Sequence, residues 1–255
     1  MIRFEQVTKR FGDSTVLDEV SFAVEPGEVF VIVGRSGTGK SVSLKHMVRL
    51  LTPDAGQVWV GDEIISNARG RRLERLRAKF GFLFQGGALL QWMNVADNVA
   101  LPLRQNTRMD EEEIGRRVRS RLAVVGLESA LAKMPSDISG GMRKRVGLAR
   151  AIVSEPDIVL YDEPTSGLDP VTSRTIDELI RDMQRQFGMT SIVVTHDLHS
   201  ALRIADHIGM LHDGAMLPPL TPSEFIRSTQ PVIREFLEAQ YITRRGDWET
   251  EETVP

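Results

Sequence analysis

The sequence predicts an α/β fold built on a parallel sheet, and three observations support this prediction. In the second half of the chain, the strand patterns "DIVLYDEP" and "SIVVTHD" are joined by a helical pattern through "TSRTIDELIRDMQRQFG", the alternation typical of parallel sheets. "VFVIVG" (29–34) is a continuous apolar run, as expected of a strand buried on both faces. The composition, 41% hydrophobic and 26% charged over 255 residues, is that of a globular protein with a sizeable core.

The first third of the chain is predicted to contain strands separated by turns. "IRFEQV" and "VSFAV" are rich in β-forming residues, and "EPGE" (25–28) forms a turn before the apolar run. The segment "SVSLKHMVRLL" then predicts a helix with four apolar residues on one face: Leu44, Met47, Val48 and Leu51. We expect Pro53 to end this helix. "FGFLFQ" (80–85) predicts another short strand.

Residues 86–137 are helical in character and interrupt the strand patterns. The segment "MDEEEIGRRVRSRLAVVGL" has acidic residues in its first turn. Its apolar residues are spaced for one buried face: Ile114, Val118, Leu122 and Val125. Near the end of the chain, "HIGMLHDGAML" (207–217) predicts a hairpin around Asp213 and Gly214. A helix and the polar end "RRGDWETEETVP" follow Pro218 and Pro219.

Charge and composition exclude several classes of protein. The net charge of −3 argues against a protein that coats nucleic acid, since such proteins are usually basic. The absence of cysteine excludes disulfides, thiolate metal sites and cysteine nucleophiles, and it suits a reducing compartment. No run approaches the roughly 18 apolar residues of a membrane span, and the first twenty residues lack an apolar signal core. We therefore expect a soluble, cytoplasmic chain.

"GRSGTGKS" (34–41) lies between the apolar run and the predicted helix and fits the phosphate-loop pattern G-x-x-x-x-G-K-[ST]. Glycines in such a loop let backbone N–H groups surround a β-phosphate, the lysine reaches the β- and γ-phosphate oxygens, and the last hydroxyl binds Mg²⁺. The residues predicted to contact a nucleoside triphosphate are Gly34, Arg35, Ser36, Gly37, Thr38, Gly39, Lys40 and Ser41. The alternative is a glycine-rich loop that makes only a tight turn.

Two carboxylates end the predicted strand in "IVLYDEP" (158–164). Asp162 is suited to bind Mg²⁺, and Glu163 is suited to polarise an attacking water or accept its proton. His196, after the next strand, is placed to hold a γ-phosphate oxygen or to position Glu163. Gln85 offers an amide that can contact a Mg²⁺-bound water and sense the γ-phosphate. The alternative for Asp162 and Glu163 is that they are solvated acids of a loop. His196 could be an isolated histidine, and Gln85 could be an ordinary polar loop residue, without a part in catalysis.

"DISGGMRKR" (137–145) predicts a second anion site. Ser139 can cap a helix, and Gly140 and Gly141 leave the backbone N–H groups of its first turn open. One nucleotide needs only one phosphate loop, so this second site requires an explanation. The alternative is a serine-capped helix whose glycines permit close packing.

The order of "GRSGTGKS", "FLFQ", "DISGGM", "IVLYDEPTSGLDP" and "VVTHD" resembles the nucleotide-binding subunit of ATP-binding cassette (ABC) transporters, over about residues 1–215. The resemblance implies a P-loop NTPase fold with a parallel core sheet, an N-terminal antiparallel β subdomain and an inserted helical subdomain. It implies an ATP-binding core at 1–85 and 155–217, a helical subdomain carrying the signature motif at 86–154, and a C-terminal extension at 218–255.

The resemblance also implies the chemistry of the site. The cassette hydrolyses ATP with Lys40, Gln85, Glu163 and His196 as catalytic residues and with Mg²⁺ held by Ser41, Gln85 and Asp162. In a head-to-tail homodimer, the signature residues Ser139, Gly140, Gly141 and Met142 contact the ATP of the other subunit, which explains the second anion site. The D-loop residues Ser166, Gly167, Leu168 and Asp169 lie at the dimer contact. Phe11 falls where the family stacks a ring on adenine; the alternative is that Phe11 is a core residue.

Two stretches narrow the resemblance to ATPases paired with MCE-type lipid carriers, the Mla-like systems that move phospholipid between bacterial membranes. These are "SGGMRKRVGLARA" and "FQGGALLQWMNVADNVALPLR". The sequence departs from the general family pattern at Ile138, where leucine is usual, and at Met142, where glutamine is usual. The second stretch implies an apolar groove for a permease helix, formed by Leu89, Leu90, Trp92 and Met93. Each of these could instead be core. In this subgroup a C-terminal extension can help to hold the dimer together.

The resemblance therefore implies a homodimeric ATPase on the cytoplasmic face of the inner membrane. Its implied partners are integral membrane permease subunits, an MCE-domain lipid-binding protein and a small STAS-type subunit, with no nucleic acid. Two alternatives stay open. One is a cassette ATPase that imports amino acids or ions or exports lipoproteins, and the other is a soluble cassette ATPase without a membrane partner.

Overall fold

A computed structural model describes residues 1–240 and Ile242. The strands of this part are, in chain order, β1 (Ile2–Phe11), β2 (Ser14–Val24), β3 (Val29–Val33), β4 (Ala55–Val60), β5 (Glu63–Ile64), β6 (Phe80–Leu83), β7 (Ile158–Asp162), β8 (Thr190–Val194), β9 (His207–His212) and β10 (Ala215–Met216). The helices are α1 (Lys40–Met47), α2 (Gly70–Arg77), α3 (Val95–Asn106), α4 (Glu111–Val124), α5 (Gly140–Ile152), α6 (Pro170–Phe187), α7 (Leu198–Ile204), α8 (Pro222–Arg227) and α9 (Pro231–Glu238).

The larger sheet has the strand order β10-β9-β3-β8-β7-β6. β9, β3, β8, β7 and β6 pair in parallel, and β10 pairs with β9 in an antiparallel hairpin. Every residue of β3, β7 and β8 is buried, as the continuous apolar runs predicted. The α/β fold class with a parallel core sheet is confirmed. The carboxyl ends of these strands meet at one edge, where open α/β sheets bind ligands.

The smaller sheet is antiparallel, in the order β2-β1-β4-β5. Phenylalanine rings connect it to the larger sheet. The rings of Phe4 and Phe22 stack with centroids 4.6 Å apart, and Phe22 stacks on Phe30 of β3 at 5.5 Å. These rings pack β1 and β2 of the smaller sheet against β3 of the larger sheet.

The helices α3, α4 and α5 pack together between β6 and β7 in the chain. The predicted apolar face of α4 is confirmed, because Ile114, Val118, Leu122 and Val125 are all buried. Asp110 caps this helix by accepting a hydrogen bond from the backbone N–H of Glu113. The buried amide of Asn98 bonds to the backbone of Leu90, Met93 and Asn94. It fixes the loop that precedes α3.

The structure corrects two boundaries. α1 ends at Met47 and not near Pro53, because Arg49 adopts a left-handed conformation with φ 52°; Leu51 is therefore not on the helix. The C-terminal region contains two helices, α8 and α9, where one was predicted. The hairpin at Asp213 and Gly214 is confirmed, with φ 45° and 79°. The predicted polar end lies outside the described residues.

Among the residues that the structure describes, none of the helices is both long enough and apolar enough to span a membrane.

Candidate active site

The phosphate loop connects β3 to α1 at the carboxyl edge of the larger sheet. Its conformation requires glycine at Gly34, where a Cβ would lie 2.5 Å from the carbonyl oxygen of Leu211. Gly39 precedes α1 in a left-handed conformation with φ 97°. Free N–H groups of the first helical turn and the positive end of the helix dipole favour an anion at this position.

Lys40 is buried at the base of the loop. Its ammonium group donates hydrogen bonds to the carbonyl oxygens of Gly34 and Arg35 at 2.8 and 3.0 Å. It also lies 4.0 Å from Oε1 of Glu163. Burial lowers the pKa of Lys40, and the negative charges of Glu163 and Asp162 oppose this shift. The structure thus holds the Lys40 ammonium group between the loop and the acidic edge of the sheet.

Asp162 and Ser41 face each other across the edge of the sheet. The Ser41 hydroxyl donates to Oδ1 of Asp162 at 2.7 Å, and Asp162 is buried at the end of β7. When Mg²⁺ binds the phosphates of a nucleotide, its protein ligands are typically hydroxyl and carboxylate oxygens. The residues present therefore fit a magnesium ion.

Glu163 and His196 are in direct contact. Nδ1 of His196 lies 2.8 Å from Oε2 of Glu163, and the Thr195 hydroxyl lies 3.4 Å from the same oxygen. Glu163 has a left-handed backbone with φ 49°, and its N–H donates to the carbonyl of Val194 at 3.0 Å. For a residue other than glycine this conformation costs about 1–3 kcal/mol, and such strain clusters at functional sites.

A cavity of about 480 Å³ joins these groups. This volume lies within the range of small-molecule sites, roughly 300–1,000 Å³. Phe11 lines it and is 47% exposed, so it is not a core residue. The lining residues are Phe11, Val16, Ser36, Gly37, Gly39, Lys40, Ser41, Val42, Gln85, Glu163 and His196. Of the other predicted residues of this site, Gly34, Arg35, Thr38 and Asp162 do not line the cavity.

The family model "ABC transporter" matches residues 17–166. This chain belongs to the ABC transporter family. A probable ribonucleotide transport ATP-binding protein, mkl of Mycobacterium tuberculosis, is 42% identical over 94% of this chain and 67% of its own length. The intermembrane phospholipid transport system ATP-binding protein MlaF of Escherichia coli is 36% identical over 93% of this chain and 88% of its own length.

Solved cassettes share the fold. A dimeric post-hydrolysis structure of the ATP-binding cassette MJ0796, bound to ADP and Pi, has a TM-score of 0.80 and 32% identity and covers 87% of this chain and 99% of the other. The cassette cbiO1 from Clostridium perfringens has a TM-score of 0.81 and 28% identity. The match covers 93% of this chain and 94% of cbiO1. The chain is the ATPase subunit of an ABC transporter. ABC ATPases bind ATP, dimerise and work with membrane permeases.

The signature residues of this cassette lie apart from the cavity. Ser139 caps α5 by accepting a hydrogen bond from the Met142 N–H at 3.2 Å. Met142 is half-buried and packs against the core. A Cβ at Gly141 would lie 2.5 Å from Cγ2 of Thr172, whereas one at Gly140 would meet atoms no closer than 3.8 Å. None of Ser139 to Met142 lines the cavity of its own subunit.

The D-loop lies beside the signature helix. Asp169 caps α6 by accepting hydrogen bonds from the Thr172 N–H at 2.9 Å and the Thr172 hydroxyl at 2.6 Å. Thr172 is also the neighbour of Gly141. Ser166 donates to the carbonyl of Glu163 at 3.0 Å. The D-loop therefore connects the first turn of α5 to the backbone of Glu163.

Sequence reasoning missed Lys144, Val16 and Val42. Lys144 is 4% exposed, and its ammonium group donates to the Glu163 carbonyl at 3.0 Å. Burial lowers the pKa of Lys144, while Glu163 and Asp162 raise it. A signal for Lys144 existed, because a lysine that shares the apolar face of a helix must reach a polar partner. The sequence contained no signal that Val16 and Val42 line the cavity, because only the fold brings them there.

The four residues of the predicted permease groove differ in exposure, and only the placement of Leu89 requires correction. Leu89 is 7% exposed and belongs to the core, whereas Trp92 is 74% exposed and Leu90 and Met93 are half-buried. Apolar character alone did not distinguish core from surface here. A groove of about 590 Å³ opens instead between β6 and α3, and none of the four lines it. Its apolar lining includes Phe80, Phe82, Phe84, Ala88, Leu101 and Pro102.

Proposed function

We propose that this chain energises the transport of phospholipid between bacterial membranes, as a homodimer bound to membrane permease subunits on the cytoplasmic face of the inner membrane. The observation that carries the ATPase chemistry is the contact of Glu163 with His196 beside Lys40 and the Ser41–Asp162 pair. The cargo assignment is supported by 35–36% identity, over 93–94% of the chain, to proteins named as intermembrane phospholipid transport ATPases.

In the proposed reaction, Glu163 accepts the proton of the water that attacks the γ-phosphate, and His196 orients Glu163 and the phosphate. Lys40 and the loop N–H groups bind the phosphates, and Phe11 stacks on adenine. Ser41, Asp162 and Gln85 would hold Mg²⁺, and the bound ion would neutralise phosphate charge. We infer that the isolated subunit is incomplete, because Ser139, Gly140, Gly141 and Met142 do not line its own cavity. We infer that they close the cavity of a second copy, in an isologous dimer.

The groove between β6 and α3 is the proposed permease site. It lies next to Gln85, since Phe84 lines the groove and Gln85 lines the cavity. The rings of Phe82 and Phe84 stack with centroids 4.0 Å apart. A short permease helix with an apolar face fits such a surface. The position of Gln85 between groove and cavity links permease contact to ATP binding.

A second candidate cargo is a ribonucleotide, because relatives named for ribonucleotide transport are 42% identical over 94% of the chain. An importer of amino acids or ions, a lipoprotein exporter and a soluble cassette remain weaker alternatives.

Purification of the complex from its own membranes tests this proposal. We expect the tagged chain to copurify with permease subunits, with an MCE-domain protein and with a small STAS-type subunit. We expect the reconstituted complex to move phospholipid in an ATP-dependent manner. ATP-dependent movement of ribonucleotide without lipid movement would support the second cargo. A fully soluble chain that binds no membrane protein would contradict both.

A further inference from the structure

The region after β10 packs against the wall of the cavity. α9 buries Ile233 and Leu237 in the core cluster that also contains Leu198 of α7. Gln240 follows this helix, and its N–H donates to the Leu237 carbonyl at 3.1 Å. α9 therefore has a fixed position relative to α7, and the side chain of Gln240 starts from a fixed backbone.

The Gln240 amide spans the loop that carries His196. Its Nε2 donates to the carbonyl oxygen of His196 at 2.7 Å, and its Oε1 accepts from the N–H of Leu198 at 2.9 Å. These two bonds lie on either side of Asp197, the residue that caps α7. A single side chain 42 and 44 residues away in sequence thus fixes both ends of the turn.

The His196 side chain depends on that backbone. Its ring is 62% exposed and contacts Oε2 of Glu163 at 2.8 Å. On one side of the loop, the Thr195 N–H donates to the Ile32 carbonyl at 3.1 Å. On the other side, Gln240 makes the two hydrogen bonds to the backbone of His196 and Leu198. An exposed ring that must meet Glu163 keeps its place only if its backbone is held, because side-chain packing contributes little there.

α9 touches the phosphate loop as well. Glu235 forms an ion pair with Arg35, and both side chains are about two-thirds exposed, at 66% and 64%. Such a pair contributes little to stability in water. It nevertheless shows that α9 lies beside both loops that meet the phosphates.

We propose that Gln240 is a positioning residue for ATP hydrolysis: its amide holds the backbone of His196 so that the imidazole meets Glu163. This inference rests on the proposed role of His196. It gives the C-terminal extension a task inside its own subunit, separate from any contact with another chain.

The test compares Gln240→Ala with Gln230→Ala in the full-length chain. Gln230 precedes α9 at an exposed position and makes no side-chain capping bond. For Gln240→Ala we expect kcat to fall about tenfold, the change produced when roughly one net hydrogen bond is lost on the way to the transition state. We expect the KM for ATP to change less than about twofold, because Phe11 and the phosphate loop are untouched. Gln230→Ala is expected to match the unmodified protein in both constants.

Gln240→Glu separates positioning from packing. The carboxylate keeps the size of the side chain and the acceptor for Leu198, but it presents an oxygen to the His196 carbonyl. We expect kcat to fall as far as in Gln240→Ala at pH 8. As the pH drops toward 5, its kcat relative to the unmodified protein is expected to rise, because a protonated carboxyl group regains a donor.

Three results would overturn this inference. They are an unchanged kcat in Gln240→Ala, equal losses in Gln240→Ala and Gln230→Ala, and full activity of Gln240→Glu at pH 8. The ATPase activity of the unmodified protein shows whether the proposed function or only the role of Gln240 has failed. If it hydrolyses no ATP, the proposed function fails; if it does and Gln240→Ala equals it, only the role of Gln240 fails.

Discussion

At the scale of single residues, Glu163 is held from several directions. Its backbone is strained at φ 49°, its carbonyl accepts from Lys144 and Ser166, and its carboxylate meets His196. A strained residue persists only where its surroundings over-determine it. These partners come from three parts of the chain: Lys144 from the signature helix α5, Ser166 from the D-loop, and His196 from the loop after β8. The carboxylate is therefore fixed before ATP arrives.

The first prediction concerns Glu163→Gln. We expect ATP binding to survive and turnover to fall by about 10²–10⁴, the usual contribution of a general base. An ATP-bound dimer should then accumulate, because hydrolysis no longer releases it. Phosphate release and size-exclusion chromatography with ATP measure the two effects.

Glu155→Gln is a matched control for this variant. Glu155 also has a left-handed backbone, with φ 53°, but its exposed carboxylate pairs with Arg117 and Arg121. Its substitution is expected to leave turnover unchanged. Turnover of Glu163→Gln near the unmodified rate would show that Glu163 is not the base.

At the scale of elements, α5 carries the test of the dimer. Gly140→Asp places a carboxylate where a phosphate of the second copy is expected, and the structure has room for the new Cβ. We expect ATP affinity of the monomer to stay within about twofold, because Gly140 does not line the cavity. Hydrolysis is expected to fall by about 100-fold or more, since two negative charges repel at close range. Nucleotide titration and phosphate release measure these quantities.

Gly140→Ala is the control for size, and it should retain most of the activity. Gly141→Asp is a poorer test, because its side chain would collide with Thr172 and disturb packing in the monomer. If Gly140→Asp hydrolysed ATP normally, the signature residues would not face a phosphate of the second copy.

The elements also show what the sequence reveals and what it does not. Continuous apolar runs predicted β3, β7 and β8, and the spacing of Ile114 and Val118 predicted the buried face of α4, because these signals are local. The early end of α1 was missed, since Arg49 takes a left-handed conformation without being glycine. Leu89 was misplaced, because an apolar residue is suited equally to a groove and to a core. The bonds from Gln240 to the His196 loop had no sequence signal at all.

At the scale of the whole molecule, we expect a buried histidine to make stability depend on pH. His46 of α1 is fully buried; its Nδ1 bonds to the Val42 carbonyl at 2.7 Å, and its Nε2 has no partner among the described residues. Burial lowers the pKa of His46, and nearby Lys9 lowers it further, while Asp54 and the bond to Val42 oppose the shift. The unfolded chain therefore binds a proton near pH 6.5 that the folded chain resists.

We expect the free energy of unfolding to fall as the pH drops below about 6.5, by at most about 1.4 kcal/mol per pH unit from this group. His46→Leu should flatten the dependence between pH 7 and 5.5. Burial raises the pKa of Asp177 to about 6, which acts in the opposite direction, but Asp177 is present in both proteins and does not affect the comparison. Urea unfolding at several pH values measures the slopes.

His199→Gln is the control, because His199 is exposed. It should leave the pH dependence unchanged. Equal slopes for His46→Leu and the unmodified protein would show that His46 does not control acid stability.

The contact between Gly141 and Thr172 has a mechanical consequence. Thr172 packs against the first turn of α5 and also bonds to Asp169, so it joins the first turns of α5 and α6. The absence of a side chain at position 141 is what lets Thr172 approach α5 this closely. We therefore expect a displacement of α5 to move the start of α6 with it.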